Sequence, residues 1–326
     1  MLWLPAHRPL PDCTQGLGDM NTTTWPVRRC TLARALALLA ALAAFVATRP
    51  VHADSAAVAQ PHKILSCNIR VPLAEDEAAG NGWQDRQDLC LDVIESQQAD
   101  VVCLQECRAV QLAALKERFT ELVAYGLANP GPDYDPGNAI LYRRDRYELI
   151  TAGGFWLSET PHVAGSASWD SARSRFVNWV DLRDRATGQP LRVWGTHLDH
   201  VGHQARAEGA RLIVEASQAL PADLPQVLAG DMNASAKHPA IETLVAGGWH
   251  DTYAQVHGAA DPGFTFHGFL GPKRAEKLGD KRGVKIDWIF TRGPVETRAA
   301  EIIRDGRDGR YPSDHYFVSA QVLITD

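Results

Sequence analysis

The strongest constraint on the fold is a short apolar run that stops on a glycine and two polar side chains: Gln226-Val227-Leu228-Ala229-Gly230-Asp231-Met232-Asn233. Val227 to Ala229 read as a buried strand, and Gly230 marks where the backbone must turn. In an extended segment the i, i+2 spacing sends Asp231 and Asn233 the same way, so a carboxylate and a carboxamide leave the strand end together. Strand ends of α/β sheets are where ligands bind. Gly, Asp and Asn are also ordinary turn residues, so the pattern gains weight only by repetition. Four other stretches of the chain repeat it.

In chain order, residues 63–71 form an expected strand with Asn68 near its end, and 100–106 a second that closes on Glu106. Between them, Leu89, Val93 and Ile94 have helical spacing within 83–98. Strand, helix, strand predicts a sheet covered by helices. A further helix is expected at 109–119, then strands at 138–142 and 147–150. Residues 175–182 and 191–196 read as a hairpin whose second arm runs into His197-Leu198-Asp199-His200. A helix at 203–220 leads to the opening run; 284–290 is another strand, and Ser313-Asp314-His315 precede a last one at 316–323. Two stretches read as loops: the turn-rich 130–137, and the Gly-rich, charged 252–283, an exposed functional loop. No repeat or linker divides residues 54–326, which read as a single domain.

The front end is different. Arg28, Arg29 and Arg34 precede an apolar run at 35–47, and Val51-His52-Ala53 offer a small-residue exit before Asp54. That is the make-up of a secretory signal peptide over 1–53, with Met20 as an alternative start and a mature chain in the periplasm or outside the cell. The apolar run is short for a bilayer span, so no stable membrane anchor is expected. Cleavage removes five arginines (Arg8, Arg28, Arg29, Arg34, Arg49) and two aspartates (Asp12, Asp19). The 33 Lys+Arg and 39 Asp+Glu thus become 28 and 37, a formal −9. Such a surface disfavours tracking along a polyanion, but not a small phosphate ester held by a few residues and a metal. Cys67, Cys90, Cys103 and Cys107 remain, open to three pairings in an exported protein. Cys67 and Cys103 fall in core strands, where a thiol packs as a small hydrophobe. No protein partner can be inferred, and the chain is read as a monomer.

Six polar signatures now stand at or beside expected strands: Asn68, Glu106, His197 with Asp199, Asp231 with Asn233, Asp287, and Asp314 with His315. They offer hard oxygen ligands suited to Mg²⁺ or Mn²⁺, and two histidines fit for proton transfer or charge stabilisation. A like-charged pair at roughly 4 Å costs about 4 kcal/mol at an effective dielectric of about 20. Four converging carboxylates therefore require a divalent ion. In their order, Asn68, Leu104-Gln105-Glu106, Thr196-His197-Leu198-Asp199, Gly230-Asp231-Met232-Asn233, Asp287-Trp288-Ile289-Phe290 and Ser313-Asp314-His315 resemble the motifs of the endonuclease/exonuclease/phosphatase superfamily, over nearly all of 62–324. Trp156-Leu157-Ser158-Glu159-Thr160-Pro161, Arg175 with Trp179, and His197 to Arg206 resemble exported bacterial members in particular.

The resemblance implies the deoxyribonuclease-I-like fold, a four-layer α/β/β/α sandwich with its site at one sheet edge. It implies a metal-dependent phosphoesterase cutting a small, lipid-like or nucleotide phosphodiester or phosphomonoester. It also implies roles. Glu106 would hold the metal with Asn68 and Asp314 beside it, and Asp231 and Asn233 would orient water or phosphate. His315, polarised by Asp287, would act as base, and His197 would hydrogen-bond the developing charge. Arg175 and Asn138 would bind substrate, and Trp156, Trp169 and Trp179 are candidates to line the cleft.

A nuclease acting on DNA or RNA is one alternative. Thr196-His197-Leu198-Asp199-His200-Val201-Gly202 also resembles part of the His-x-His-x-Asp-His zinc motif of metallo-β-lactamase-like hydrolases, with Gly195 where the first histidine would stand. A catalytically inactive binding module would betray itself by a missing side chain, and every expected position is filled.

Overall fold

Apolar runs such as Val101-Val102-Cys103-Leu104 show no polar face because they are covered on both sides. In the computed structural model, which describes residues 60–128, 130, 137–281 and 283–325, Val101 and Cys103 face one core and Val102 and Leu104 another. The expected leader at 1–53 and most of the turn-rich 130–137 lie outside the described residues.

The first sheet holds β1 (His62–Asn68), β2 (Val101–Gln105), β3 (Leu122–Tyr125), β4 (Ile140–Arg143), β11 (Val295–Ile303) and β12 (Phe317–Ile324), in the order β11-β12-β1-β2-β4-β3. The second holds β5 (Tyr147–Trp156), β6 (Phe176–Asp184), β7 (Pro190–His197), β8 (Gln226–Asp231), β9 (His250–Asp251) and β10 (Asp287–Arg292), in the order β5-β6-β7-β8-β10-β9. Their inner faces pack together through Ile64, Val101, Ile140, Val180, Val193, Val227 and Ile289. Helices Trp83–Ser96 and Ala109–Arg118 cover the first sheet through Leu89, Ile94, Leu112 and Leu115. Helices His203–Gln218 and Pro239–Ala246 cover the second through Ile213, Val214, Ile241 and Leu244. Helix, sheet, sheet, helix: this is the four-layer sandwich expected from the sequence. Among the described residues no helix is long and apolar enough to cross a membrane.

The expected hairpin is β6 and β7, paired antiparallel from Val177↔Thr196 to Arg183↔Pro190. Several elements differ from expectation. β5 runs on to Trp156, and β10 begins only at Asp287. The stretch expected to be one exposed loop contains helices Thr252–His257 and Lys273–Leu278, and it buries Thr265 and His267. Cys67, Cys90 and Cys103 are buried free thiols. Burial pushes the Cys90 and Cys103 thiols up to about 12, which keeps them inert.

What matters for function is where the parallel pairs end. Each sheet has one at its centre, β1 with β2 and β7 with β8. The polar residues that finish these strands all arrive at one edge of the sandwich.

Candidate active site

Register alone brings the site residues together. In the β1–β2 pair Asn68 lies opposite Gln105, so Asn68 and Glu106 emerge side by side. In the second sheet His197 and Asp287 both lie opposite Asp231, from parallel β7 and antiparallel β10. β12 runs antiparallel to β1, so Asp314 and His315, just ahead of it, enter from the same edge.

Asn68 joins the two halves. Its Nδ2 donates to Glu106 Oε1 at 3.0 Å and to Asp231 Oδ2 at 3.1 Å, while its Oδ1 accepts the Arg70 N–H at 3.0 Å. Glu106 Oε2 accepts the Val71 N–H at 3.0 Å. The Arg70 guanidinium bridges Asp76 at 2.8 Å and Asp314 at 3.4 Å. His315 Nδ1 donates to Asp287 Oδ2 at 2.9 Å, which turns Nε2 toward Asp231 Oδ2, 3.8 Å away. His197 Nε2 lies 3.4 Å from the same Asp231 oxygen and accepts from Asn233 Nδ2 at 2.9 Å. Asp231 is therefore flanked by an imidazole on each side.

Burial would raise the Glu106 carboxyl, but bonds from Val71 N–H and Asn68 outweigh it and hold Glu106 below its ordinary value. Asp231 is pushed up to about 7, first by burial and then by the charge of Asp287. Asp314 is raised by burial, with Glu106 adding to it. Burial, then the Arg175 charge, holds His197 neutral. Burial opposes charge on His315 too, yet Asp287, followed by Asp231 and Asp314, lifts it well above its usual value. The two histidines thus rest in opposite states.

This donor set fits a hard divalent cation. Glu106, Asp231 and Asp314 present carboxylate oxygens around the Asn68 amide, and the raised Asp231 and Asp314, lifted first by burial and then by a neighbouring carboxylate, are what a bound cation would relieve. Among the described residues the tightest trio of potential ligand atoms is another one, Asp231, Asp287 and His315, within 4.8 Å of one another. Because His315 is committed to Asp287 and favours its charged form, that trio suits Mg²⁺ less well than the oxygen set.

All eight residues expected to carry catalysis or hold metal meet here. A cleft of about 700 Å³ opens over them, and its wall includes Arg70, Arg108, Arg173, Ser174, Arg175, Asn138 and Phe266. Arg175 sits in that wall with Nε 3.4 Å from Asp199 and a terminal nitrogen 3.1 Å from His200 Nδ1. Asn138 also lines the cleft, but its Nδ2 donates to the Phe176 carbonyl at 3.0 Å, so its amide braces the wall. Asn233 reaches the site by an unexpected route. The strand ends at Asp231, and Asn233 is left-handed (φ 46°), its N–H capping Asp231 Oδ1 at 2.8 Å. The three tryptophans do not line the cleft: Trp156 packs on Phe176, Trp179 lies against Trp194, and Trp169 is absent from the wall.

The residues of the zinc-like motif have other duties. Asp199 accepts the Val201 and Gly202 N–H groups at 3.0 and 2.7 Å ahead of the helix, and His203 packs against His238. Sequence reading missed Arg70, Arg108, Arg173, Ser174 and Phe266. Arg70, Arg108, Arg173 and Ser174 stand within two residues of Asn68, Glu106 or Arg175, and that adjacency is the signal that could have found them; Phe266 had none.

Comparisons with known proteins bear on the family and the fold. The Endonuclease/Exonuclease/phosphatase family profile matches residues 65–315. A family protein from Bacteroides thetaiotaomicron is similar in structure, with 28% identity and a TM-score of 0.72, covering 82% of this chain and 100% of that one. The mannosyl-6-phosphatase of the same organism is also similar, at 28% identity and a TM-score of 0.71, covering 80% of this chain and 99% of its own. An uncharacterised protein of Acanthamoeba polyphaga mimivirus is 24% identical over 185 residues, 54% of this chain and 68% of that protein.

Proposed function

The chain belongs to the endonuclease/exonuclease/phosphatase family, whose members are metal-dependent phosphoesterases, and on that premise we propose that it hydrolyses a small phosphate ester. One observation carries the reading: strand ends of the two sheets, with the segment leading into β12, place two imidazoles and an acidic patch around Asp231 in a single cleft.

Asp231 lies within reach of both imidazoles and of Asn68, so a water held between them would give its proton to that carboxylate. His315, turned inward by Asp287, presents Nε2–H to a phosphoryl oxygen as negative charge gathers there. His197 is kept in one orientation by Asn233 on the other side of the same group. Arg175 and Arg70 add positive charge to the cleft wall. Glu106 and Asp314, with Asn68 beside them, would hold a divalent cation, which would supply charge stabilisation to the phosphoryl oxygens. This division of labour differs from the one the family resemblance implied: Asp231 takes the proton, and His315 stabilises charge.

The formal −9 of residues 54–326 supports a small ester over duplex DNA. The likeness to a mannosyl-6-phosphatase supports a sugar monophosphate. The exported bacterial setting and the monomeric state read from the sequence belong to the same proposal.

A panel of sugar phosphates, nucleotides, phosphodiesters and single-stranded DNA, assayed with Mg²⁺ and with EDTA, tests it. Turnover of a small ester that EDTA abolishes and Mg²⁺ or Mn²⁺ restores is the expected result. Glu106→Gln should shift the metal response while melting like the parent. Activity indifferent to EDTA, or restored by Zn²⁺ alone, would reject it.

A further inference from the structure

His200 lines the cleft three residues after His197, and the chemistry above gives it no part. Antiparallel register brings Arg175 beside it. β6 and β7 pair Val177 with Thr196, so the residues ahead of β6 run alongside those that follow His197. Two of the latter hold the guanidinium: Asp199 Oδ2 accepts from Nε at 3.4 Å, and His200 Nδ1 accepts from a terminal nitrogen at 3.1 Å. Asp199 is itself fixed, because Oδ1 takes the Val201 and Gly202 N–H groups and Oδ2 the Arg173 N–H at 3.2 Å. A guanidinium only donates, so the His200 contact requires an unprotonated Nδ1.

The other terminal nitrogen of Arg175 has no protein partner among the described residues, and its side chain keeps 14% of its surface exposed in the cleft wall. After burial, it is the Arg175 charge that holds His197 neutral, so the guanidinium stands near the reacting groups. One long contact to Asp199 would let the fork pivot about Nε. The second contact, to His200, fixes its plane. An arginine held before substrate arrives loses less rotamer freedom on binding, and that saving appears as affinity.

We propose that His200 is a positioning residue, whose Nδ1 fixes the Arg175 guanidinium so that its free terminal nitrogen meets a phosphoryl oxygen of the substrate. The inference rests on the phosphoesterase reading above. Parent, His200→Ala, His200→Asn, Arg175→Ala and the double variant His200→Ala/Arg175→Ala are assayed with Mg²⁺ on the best ester of the panel, with inorganic phosphate as inhibitor. His200→Ala should raise KM and the phosphate Ki together, roughly fivefold, and change kcat much less. Asn carries Oδ1 where histidine carries Nδ1, so His200→Asn should recover most of the loss. Adding His200→Ala to Arg175→Ala should cost nothing more, because the two act through one contact. Parental KM and Ki in His200→Ala, a loss that falls on kcat, an Asn variant no better than Ala, or a loss that persists in full without Arg175 would overturn the assignment. Parental KM and Ki in Arg175→Ala would overturn it too, with the phosphoesterase reading intact. A parent that turns over no phosphoester removes both.

Discussion

Three non-glycine residues of the site hold a left-handed backbone: Arg70 at φ 54°, Glu106 at 59° and Asn233 at 46°. Such conformations persist only where surrounding bonds over-determine them, and they collect at functional sites. Here the bonds are visible. Asn68 Oδ1 holds the Arg70 N–H, the Val71 N–H and Asn68 Nδ2 hold the Glu106 carboxylate, and Asp231 Oδ1 holds the Asn233 N–H. The Asp287–His315 dyad is fixed in the same manner, and it allows a quantitative test. His315→Ala should lower kcat by roughly 10² or more, and Asp287→Asn by less, because Asp287 acts only through the imidazole. The double variant should be no slower than His315→Ala alone, since groups that act as a unit do not multiply. Steady-state kinetics on a hydrolysed ester would decide; fully multiplicative losses would separate the two residues.

Among the elements, the parallel pair β7–β8 sets the tightest tolerance. Thr196 lies opposite Gly230, and a Cβ on Gly230 would meet the Thr196 carbonyl oxygen at 2.0 Å. Neither backbone can retreat without disturbing His197 and Asp231, one residue further on. Gly230→Ala should therefore destabilise the fold by about 1–3 kcal/mol or more and lower activity beyond what unfolding explains, as denaturant melts and assays would show. A neutral melt would mean that the strands can part.

The far end of β1 offers a second test, with no involvement of the site. His62 is buried and accepts the Tyr147 O–H at 2.7 Å. Burial, then the Arg146 charge, lowers it from 6.5 to about 4. The unfolded chain takes up this proton below pH 6.5 and the folded chain refuses it until about pH 4. The stability involved is complete above pH 6.5 and lost as pH falls, amounting to roughly 3 kcal/mol. Thermal melts of His62→Gln should lose less on acidification across that range than the parent's. The slope will not vanish, because His267, held at about 3, acts in the same direction. Identical acid profiles would acquit His62.

For the whole molecule, a signal peptide cleaved after Ala53 would release residues 54–326, which contain every described element. Expressed with its own leader in a bacterial host, the secreted chain should begin at Asp54. N-terminal sequencing that finds the apolar run 35–47 still attached would reject cleavage there. The sequence by itself determined the layered α/β class, the hairpin and the three long helices at 83–98, 109–119 and 203–220, because apolar runs and helical spacing record which faces are buried, but not the shorter helices such as Pro239–Ala246. It also determined which polar residues would meet, since Asn68, His197, Asp231 and Asp287 each close or open a strand and Glu106 and Asp314 stand just outside one. It did not disclose β11, an edge strand whose Glu296, Arg298 and Glu301 face water and whose register shifts between Thr297 and Ala299. Nor did it disclose the cleft wall. Ser174, Arg173 and Phe266 lie in irregular segments with no period to read, and Asn138 looked like a substrate contact until its amide was seen bonded to Phe176. The states of the two histidines likewise awaited the tertiary structure, because they depend on which carboxylate or guanidinium packs beside each imidazole, and chain order does not encode that distance.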